Sequence, residues 1–288
     1  MRQRRTVWIP MTMVLIAATS YGLVTPLVKW ASLQGIDISW LTVGQYPIPL
    51  LGFWLGSRLH RERPLTRSER RWTVLVGGAG SLTALTYYQA LKWLSGPVAI
   101  TLLFQFTWML PVISRIFGGS PLRRREIGAI AAIIAGTVLQ ILQLPNRWPL
   151  IGTGLGLLAG LSYAVALYGS SRFSESAPLW RRAFESTLFG AFLIIVGYRG
   201  WTFMGHMTRG WIWGSLIGLF SQFIPMLLIY RATPRLSHAA TAILASFELP
   251  VAVVVSWLGL KEPVPLVEWL GIGIMMVGIV AGSWPSEA

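Results

Sequence analysis

Tyr88-Gln-Ala-Leu-Lys-Trp-Leu-Ser95 and Tyr230-Arg-Ala-Thr-Pro-Arg-Leu-Ser237 stand 142 positions apart and carry Tyr, Ala, Leu and Ser at the same four places. At the same spacing, Ala17, Ser20 and Tyr21 fall on Ala159, Ser162 and Tyr163. Downstream, Leu102, Val112, Ser114, Pro121, Glu126, Gly136 and Val138 fall on Leu244, Val254, Ser256, Pro263, Glu268, Gly278 and Val280. Apolar matches between two greasy segments arise readily by chance, so the Tyr, Ser, Pro and Glu matches carry the weight. The chain reads as two copies of one unit, residues 1–142 and 143–288.

The medium of these units is lipid. Of 288 residues 54% are hydrophobic and 12% charged, where a soluble domain carries about 25% charged residues. Ten apolar segments follow one another: about 8–29, 39–57, 72–91, 97–117, 126–143, 150–169, 183–199, 211–230, 239–258 and 266–284. The basic start Met1-Arg-Gln-Arg-Arg5 resembles a signal peptide, but the apolar run behind it is longer than such a core, and the segment is expected to stay as the first span. Short connections make consecutive spans antiparallel neighbours. With the N-terminus inside, eighteen of the 24 Lys and Arg fall in inside loops, among them Arg58, Arg61, Arg63, Arg123, Arg124, Arg125, Arg181 and Arg182; Lys29, Lys92, Arg147, Arg199, Arg209 and Lys261 fall outside. Both termini are therefore expected in the cytoplasm. Five spans per copy is an odd number, so the second copy runs through the membrane inverted, an arrangement of secondary transporters whose site lies at the midplane between repeats. The expected fold is all-α: ten transmembrane helices as two inverted five-helix repeats. The net charge of +14 belongs to membrane loops and not to a nucleic-acid footprint.

The residues just quoted resemble a known group. Tyr88 to Ser95, then Leu102-Leu-Phe-Gln-Phe-Thr-Trp108 with Pro111, look like spans 3 and 4 of the EamA branch of the drug/metabolite transporter superfamily. Glu248-Leu-Pro250, Trp257-Leu-Gly-Leu-Lys-Glu262 and Gly271-Ile-Gly-Ile-Met-Met-Val-Gly278 repeat the pattern in the second copy, and Ser120 departs from it where the family often has Glu. The resemblance implies a ten-helix bundle in the bacterial inner membrane that exports small metabolites, often amino acids or their derivatives. It also implies a central cavity lined by spans 1, 3, 4, 6, 8 and 9.

A polar group inside a bilayer costs free energy unless it is paired or wet. Glu248 is the deepest ionisable residue, with no Lys or Arg at comparable depth. Apolar surroundings favour the neutral form of a carboxyl, which suits exchange of a proton for a substrate amine; a neutral Glu bonded to a neighbouring helix is the plainer alternative. Tyr21, Gln105, Tyr163 and Gln222 share its depth and are candidates for substrate contact. Tyr21 and Tyr163 are repeat equivalents expected to face each other, and Gln105 precedes the equivalent of Glu248 by one position. Trp108, three residues on, is a candidate apolar wall. Ser20, Thr25, Ser162, Tyr87, Tyr88 and Tyr230 are weaker candidates. Glu185, at i+4 and i+3 from Arg181 and Arg182, reads as a surface salt bridge, and the glycines 77, 78, 80, 152, 154, 156 and 160 as close-packing positions.

No cysteine is present, which excludes disulfides, thiolate metal sites and a Cys nucleophile. His206 and His238 lack metal-ligand spacing. There is no phosphate-binding loop, no HExxH and no Ser-His-Asp set at one depth. The expectation is a transporter and not an enzyme, with no metal or cofactor; its partners are a small-molecule substrate, the lipid bilayer and protons, and a monomer suffices. An uncoupled facilitator, a non-transporting scaffold and a flippase for lipid-linked substrates are the alternatives.

Overall fold

The computed structural model describes residues 2–94, 96–119, 121–141, 149–197, 208–261 and 264–283. Ser95, Ser120, Arg147, Arg199, Trp201, His206, Glu262, Pro263 and Trp284 lie outside them, as does the junction expected at 142–143. Among the described residues every regular element is helical.

Within the described residues the ten apolar segments fall on helices. The first is α1 (Arg2–Gly22) and α2 (Val24–Leu33); the second is α3 (Ile38–Gly44) and α4 (Pro47–Leu59). The third is α5 (Arg67–Ala90), and the fourth is α6 (Gly96–Leu103) and α7 (Phe106–Ile116). Then come α8 (Arg124–Ile141), α9 (Leu150–Ser171) and α10 (Leu179–Gly197). The eighth is α11 (Thr208–Gly218), a π turn (Leu219–Phe223) and α12 (Ile224–Ala232). The ninth is α13 (His238–Ala245) and α14 (Glu248–Leu260), and the last is α15 (Leu266–Ser283). Five stretches are long and apolar enough to cross a membrane: Trp8–Leu33, Ala99–Ile116, Leu150–Ser171, Arg209–Arg235 and His238–Leu260.

Five of the ten segments are interrupted, and proline explains most of the breaks. Pro26, Pro225 and Pro250 have no N–H for the carbonyls of Gly22, Ser221 and Ser246, four residues back. The backbone before Pro250 tightens, with Phe247 N–H bonded to the Leu244 carbonyl at 3.1 Å and Leu249 N–H to that of Ser246 at 3.3 Å. The break between α6 and α7, at Phe104 and Gln105, sits at the repeat-equivalent position without such a proline. It too closes three-residue turns, Gln105 N–H to the Leu102 carbonyl at 3.2 Å and Thr107 N–H to that of Phe104 at 3.1 Å. In the π turn the Ser20 hydroxyl donates to the Phe220 carbonyl at 2.8 Å, giving a loosened helix a partner from α1.

Packing follows a simple pattern. α5 lies along α9, and α1 along α12; α6 and α7 pack on α9, and α13 and α14 on α1. α8 lies along α15, α4 on α10, and α7 on α13. Phe53, Phe104, Phe106, Leu110, Ile243, Leu244, Leu249 and Met275 are fully buried in the core. The outer surface is apolar as well: Ile9, Ile16, Leu51, Phe192, Leu258 and Val277 are all more than half exposed. Meanwhile Gln45, Thr101, Thr107, Thr241, Ser246 and Glu248 are buried. That distribution matches a lipid solvent and would aggregate in water.

Glycines set the closest approaches. A Cβ on Gly22 would lie 2.7 Å from the Glu248 carbonyl oxygen, and one on Gly160 2.8 Å from that of Leu103. Gly80 and Gly154 do not pack as expected: nothing lies within 4 Å of where their Cβ would be. Trp40 is buried edge-on against Trp211 with centroids 5.8 Å apart.

Candidate functional site

A cavity of about 150 Å³ opens where the interrupted helices meet. Tyr21 at the end of α1 and Thr25 in α2 line it, with Gln45 from the break between α3 and α4. α5 contributes Gly80, Thr83, Tyr87 and Tyr88; α6 contributes Leu103, and α9 Tyr163 and Ser170. Ser221 and Gln222 of the π turn, Met226 and Tyr230 of α12, and Glu248 complete the wall. Helix breaks free backbone groups and re-aim side chains. With the unbroken α5 and α9, these breaks bring side chains, many of them polar, from seven apolar segments to one cavity.

Glu248 is the first residue of α14, and 8% of it is exposed. Among the described residues no group donates a hydrogen bond to its carboxyl and no cation pairs with it. It is also the sole Asp, Glu, Lys, Arg or His among the lining residues. Tyr21, Tyr87 and Tyr163 lie within electrostatic reach of the carboxyl. The rings of Tyr21 and Tyr163 meet edge-on at 6.0 Å, the facing that the repeat implied. The Tyr163 hydroxyl is buried with no hydrogen-bond partner, a position a ligand atom can satisfy. Tyr230 donates to the Ser186 hydroxyl at 2.9 Å, and Ser221 to the Gln45 side-chain oxygen at 3.0 Å, so these two walls are fixed.

Four of the six main sequence candidates thus come together: Glu248, Tyr21, Tyr163 and Gln222. Gln105 and Trp108 stand apart. Trp108 donates its indole N–H to the Gln105 side-chain oxygen at 2.8 Å and is 39% exposed on the outer surface. The cause is helical phase. One residue turns about 100° around a helix, so the true equivalent of Glu248 is Phe106, buried and 4.7 Å from the Tyr163 ring. Gln45, Thr83 and Ser221 were missed. Gln45 lies two residues before Pro47 in the second segment, and a polar residue beside a helix-breaking proline was the available signal. Among the described residues no three His, Cys, Asp or Glu side chains gather as metal ligands.

At the end of the bundle near the first turn of α10, Glu185 pairs with Arg181 at 3.0 Å and with Arg70 at 3.1 Å. Arg182, expected to share Glu185, instead turns inward and is 3% exposed.

Residues 150–283 match the EamA-like transporter family. That segment is EamA-like. The match covers 150–283 of the 288 residues, and with the apolar helices it supports a multi-pass membrane protein of the transporter class. A relative from Archaeoglobus fulgidus, described as an uncharacterized transporter, is 22% identical to this chain over 200 residues, covering 69% of this chain and 71% of that one. One solved crystal structure superposes with a TM-score of 0.76 at 15% identity, over 94% of this chain and 98% of the other; at that identity it speaks for the fold alone.

Proposed function

We propose that this chain is an EamA-type secondary-active exporter of the bacterial inner membrane, moving a small metabolite that carries a protonated amine by alternating access around the central cavity. The observation that carries this reading is Glu248, a lone buried carboxyl on a wall of tyrosines with no cation to pair it. Aromatic faces beside a carboxylate suit an ammonium group. A carboxylate vacated by that group takes a proton, so the two ligands exclude each other, which is the requirement for exchange. The unpartnered Tyr163 hydroxyl, Tyr21 and Gln222 hold the remainder of the substrate.

The architecture in this reading is ten crossings in two inverted repeats, 1–142 and 143–288, with both termini cytoplasmic and one chain sufficient. Two features support it. Exchanging the halves maps the packing onto itself: α5 on α9 becomes α12 on α1, and α6–α7 on α9 becomes α13–α14 on α1. Polar contacts between distant segments also join only regions assigned to one side. Glu62 accepts from the backbone of Trp180 and Arg181, Arg235 pairs with Glu175, and His238 bonds Ser114 and Ser171 on the inner side. On the outer side the Trp213 indole donates to the Gln34 side-chain oxygen. The helix breaks at the cavity supply the hinges.

The test is efflux from proteoliposomes loaded with labelled amine-bearing metabolites, amino acids first, with and without an acidic exterior. The expected result is saturable efflux of one class, accelerated by the gradient. In Glu248→Gln that acceleration disappears between about pH 5.5 and about pH 8.5, while the protein still inserts. Equal pH dependence in the variant removes Glu248 from coupling, and efflux indifferent to the gradient makes the chain a facilitator.

A further inference from the structure

A second cavity, of about 510 Å³, adjoins the first, with Tyr230 lining both. Its charged groups are Glu62, Arg63, Glu175, Arg182, Arg231 and Arg235. Most already have partners. Arg63 pairs with Glu69 at 2.7 Å and Arg235 with Glu175 at 2.7 Å. The Glu62 carboxylate accepts backbone N–H groups of Trp180 at 3.2 Å and Arg181 at 2.7 Å. Two cations remain. Arg231 is exposed and has no ion-pair partner among the described residues.

Arg182 is the unusual one. Its guanidinium is flanked by the rings of Phe173 and Tyr230, 4.6 and 4.9 Å from their centroids. It makes one hydrogen bond, from Nη2 to the Tyr230 carbonyl. That carbonyl needs a donor because residue 234, whose N–H would otherwise close the helix turn, is proline. This role occupies one nitrogen. Nε and Nη1 are buried with no partner. A buried guanidinium with idle donors is an expensive arrangement, and ring faces offset only part of it.

We propose that this cavity is a binding site for a small oxyanion, a carboxylate or phosphate, held by Arg182 and drawn in by Arg231. The site is separate from the Glu248 cavity and of opposite sign. Its acidic neighbours are already bonded, so the charge it presents to a ligand is positive. The oxyanion belongs either to a dissolved metabolite or to a lipid headgroup, and both offer the same oxygens to the same donors.

The experiment uses the full chain in neutral detergent at pH 7 and constant ionic strength. The midpoint of thermal unfolding is followed while inorganic phosphate, or separately acetate, replaces chloride. The wild type is expected to show a saturable rise. Arg182→Gln raises the half-saturating concentration at least about ten-fold, as loss of charge-assisted hydrogen bonds does. Arg231→Gln, an exposed change that leaves the fold alone, raises it about three-fold or more. A response to phosphatidylglycerol in mixed micelles, with none to phosphate or acetate, assigns the oxyanion to a headgroup and upholds the site. If Arg182→Gln does not fold, an unchanged Arg231→Gln titration overturns the proposal. So does a folded Arg182→Gln that titrates like the wild type, or a wild type indifferent to all three probes.

Discussion

At the residue scale the cavity separates side chains that share a depth but not a direction. Tyr163 presents an idle hydroxyl to the cavity, while Gln105 and Trp108 satisfy each other on the outer surface. Tyr163→Phe is therefore expected to raise the half-saturating substrate concentration roughly two- to twelve-fold, the range for one hydrogen bond. Gln105→Leu and Trp108→Leu leave it unchanged within about two-fold. Concentration-dependent efflux from proteoliposomes measures all three, and a larger loss in Trp108→Leu than in Tyr163→Phe reverses the assignment. Depth was legible in the sequence because it depends only on position within an apolar run. Direction was not, because the break at Phe104–Gln105 resets the helical phase from which a face would be counted. Tyr21 and Tyr163 escaped that difficulty: repeat symmetry relates the two directly, without reference to phase.

At the element scale, function and stability reside at opposite places. The ends of helices are built for stability. Thr66 caps α5: its hydroxyl accepts from Glu69 N–H at 3.3 Å while the Glu69 carboxylate accepts from Thr66 N–H at 2.8 Å. Thr66→Ala is expected to lower stability by about 1 kcal/mol. The Arg63 guanidinium, with the Thr66 backbone, holds the Glu69 carboxyl down to about 2. An unfolded glutamate titrates near 4.3. The stabilisation is thus complete above that value and fades as pH falls towards about 2. Thermal unfolding should show the wild type ahead of Glu69→Gln at pH 7, with the gap closing below about pH 4. The middles of helices are built for change instead. Pro250 withholds a donor from the Ser246 carbonyl beside Glu248. Pro250→Ala restores that donor, so it is expected to preserve or raise the unfolding temperature while slowing transport several-fold. A variant that lowers both makes the bend structural. Prolines at 26, 225 and 250 mark three of the breaks, but proline alone does not locate a break: Pro111 lies inside the continuous α7, and the break at Phe104–Gln105 has no such proline.

At the scale of the whole molecule, the sequence carried the all-helical class and the lipid medium, because composition and apolar run length do not depend on packing detail; the duplication is proposed from long-range spacing. The inward turn of Arg182 was not legible. Local spacing offered Glu185 three residues on, and only the distant Tyr230 carbonyl, orphaned by Pro234, explains the choice. The inversion of the second copy is the remaining global claim, and it makes a strong demand. Each span reverses the side of the next loop, so Gln34 and Lys92 must share one face of the membrane and Leu122 and Ser174 the other. The contacts of Gln34 with Trp213 and of Glu62 with Arg181 join segments that the proposal puts on one face, and they support it independently of the basic residues that set orientation. Because the chain contains no cysteine, single cysteines can be placed without removing any. In intact cells a membrane-impermeant maleimide is expected to label Gln34→Cys and Lys92→Cys, and to label Leu122→Cys and Ser174→Cys only after the membrane is opened. Labelling of Ser174→Cys from outside together with Gln34→Cys and Lys92→Cys, with Leu122→Cys still protected, means that the two copies are not inverted. A reversal of both pairs keeps the inversion and places the Arg182 cavity on the outer face, where the anions that reach it come from outside the cell.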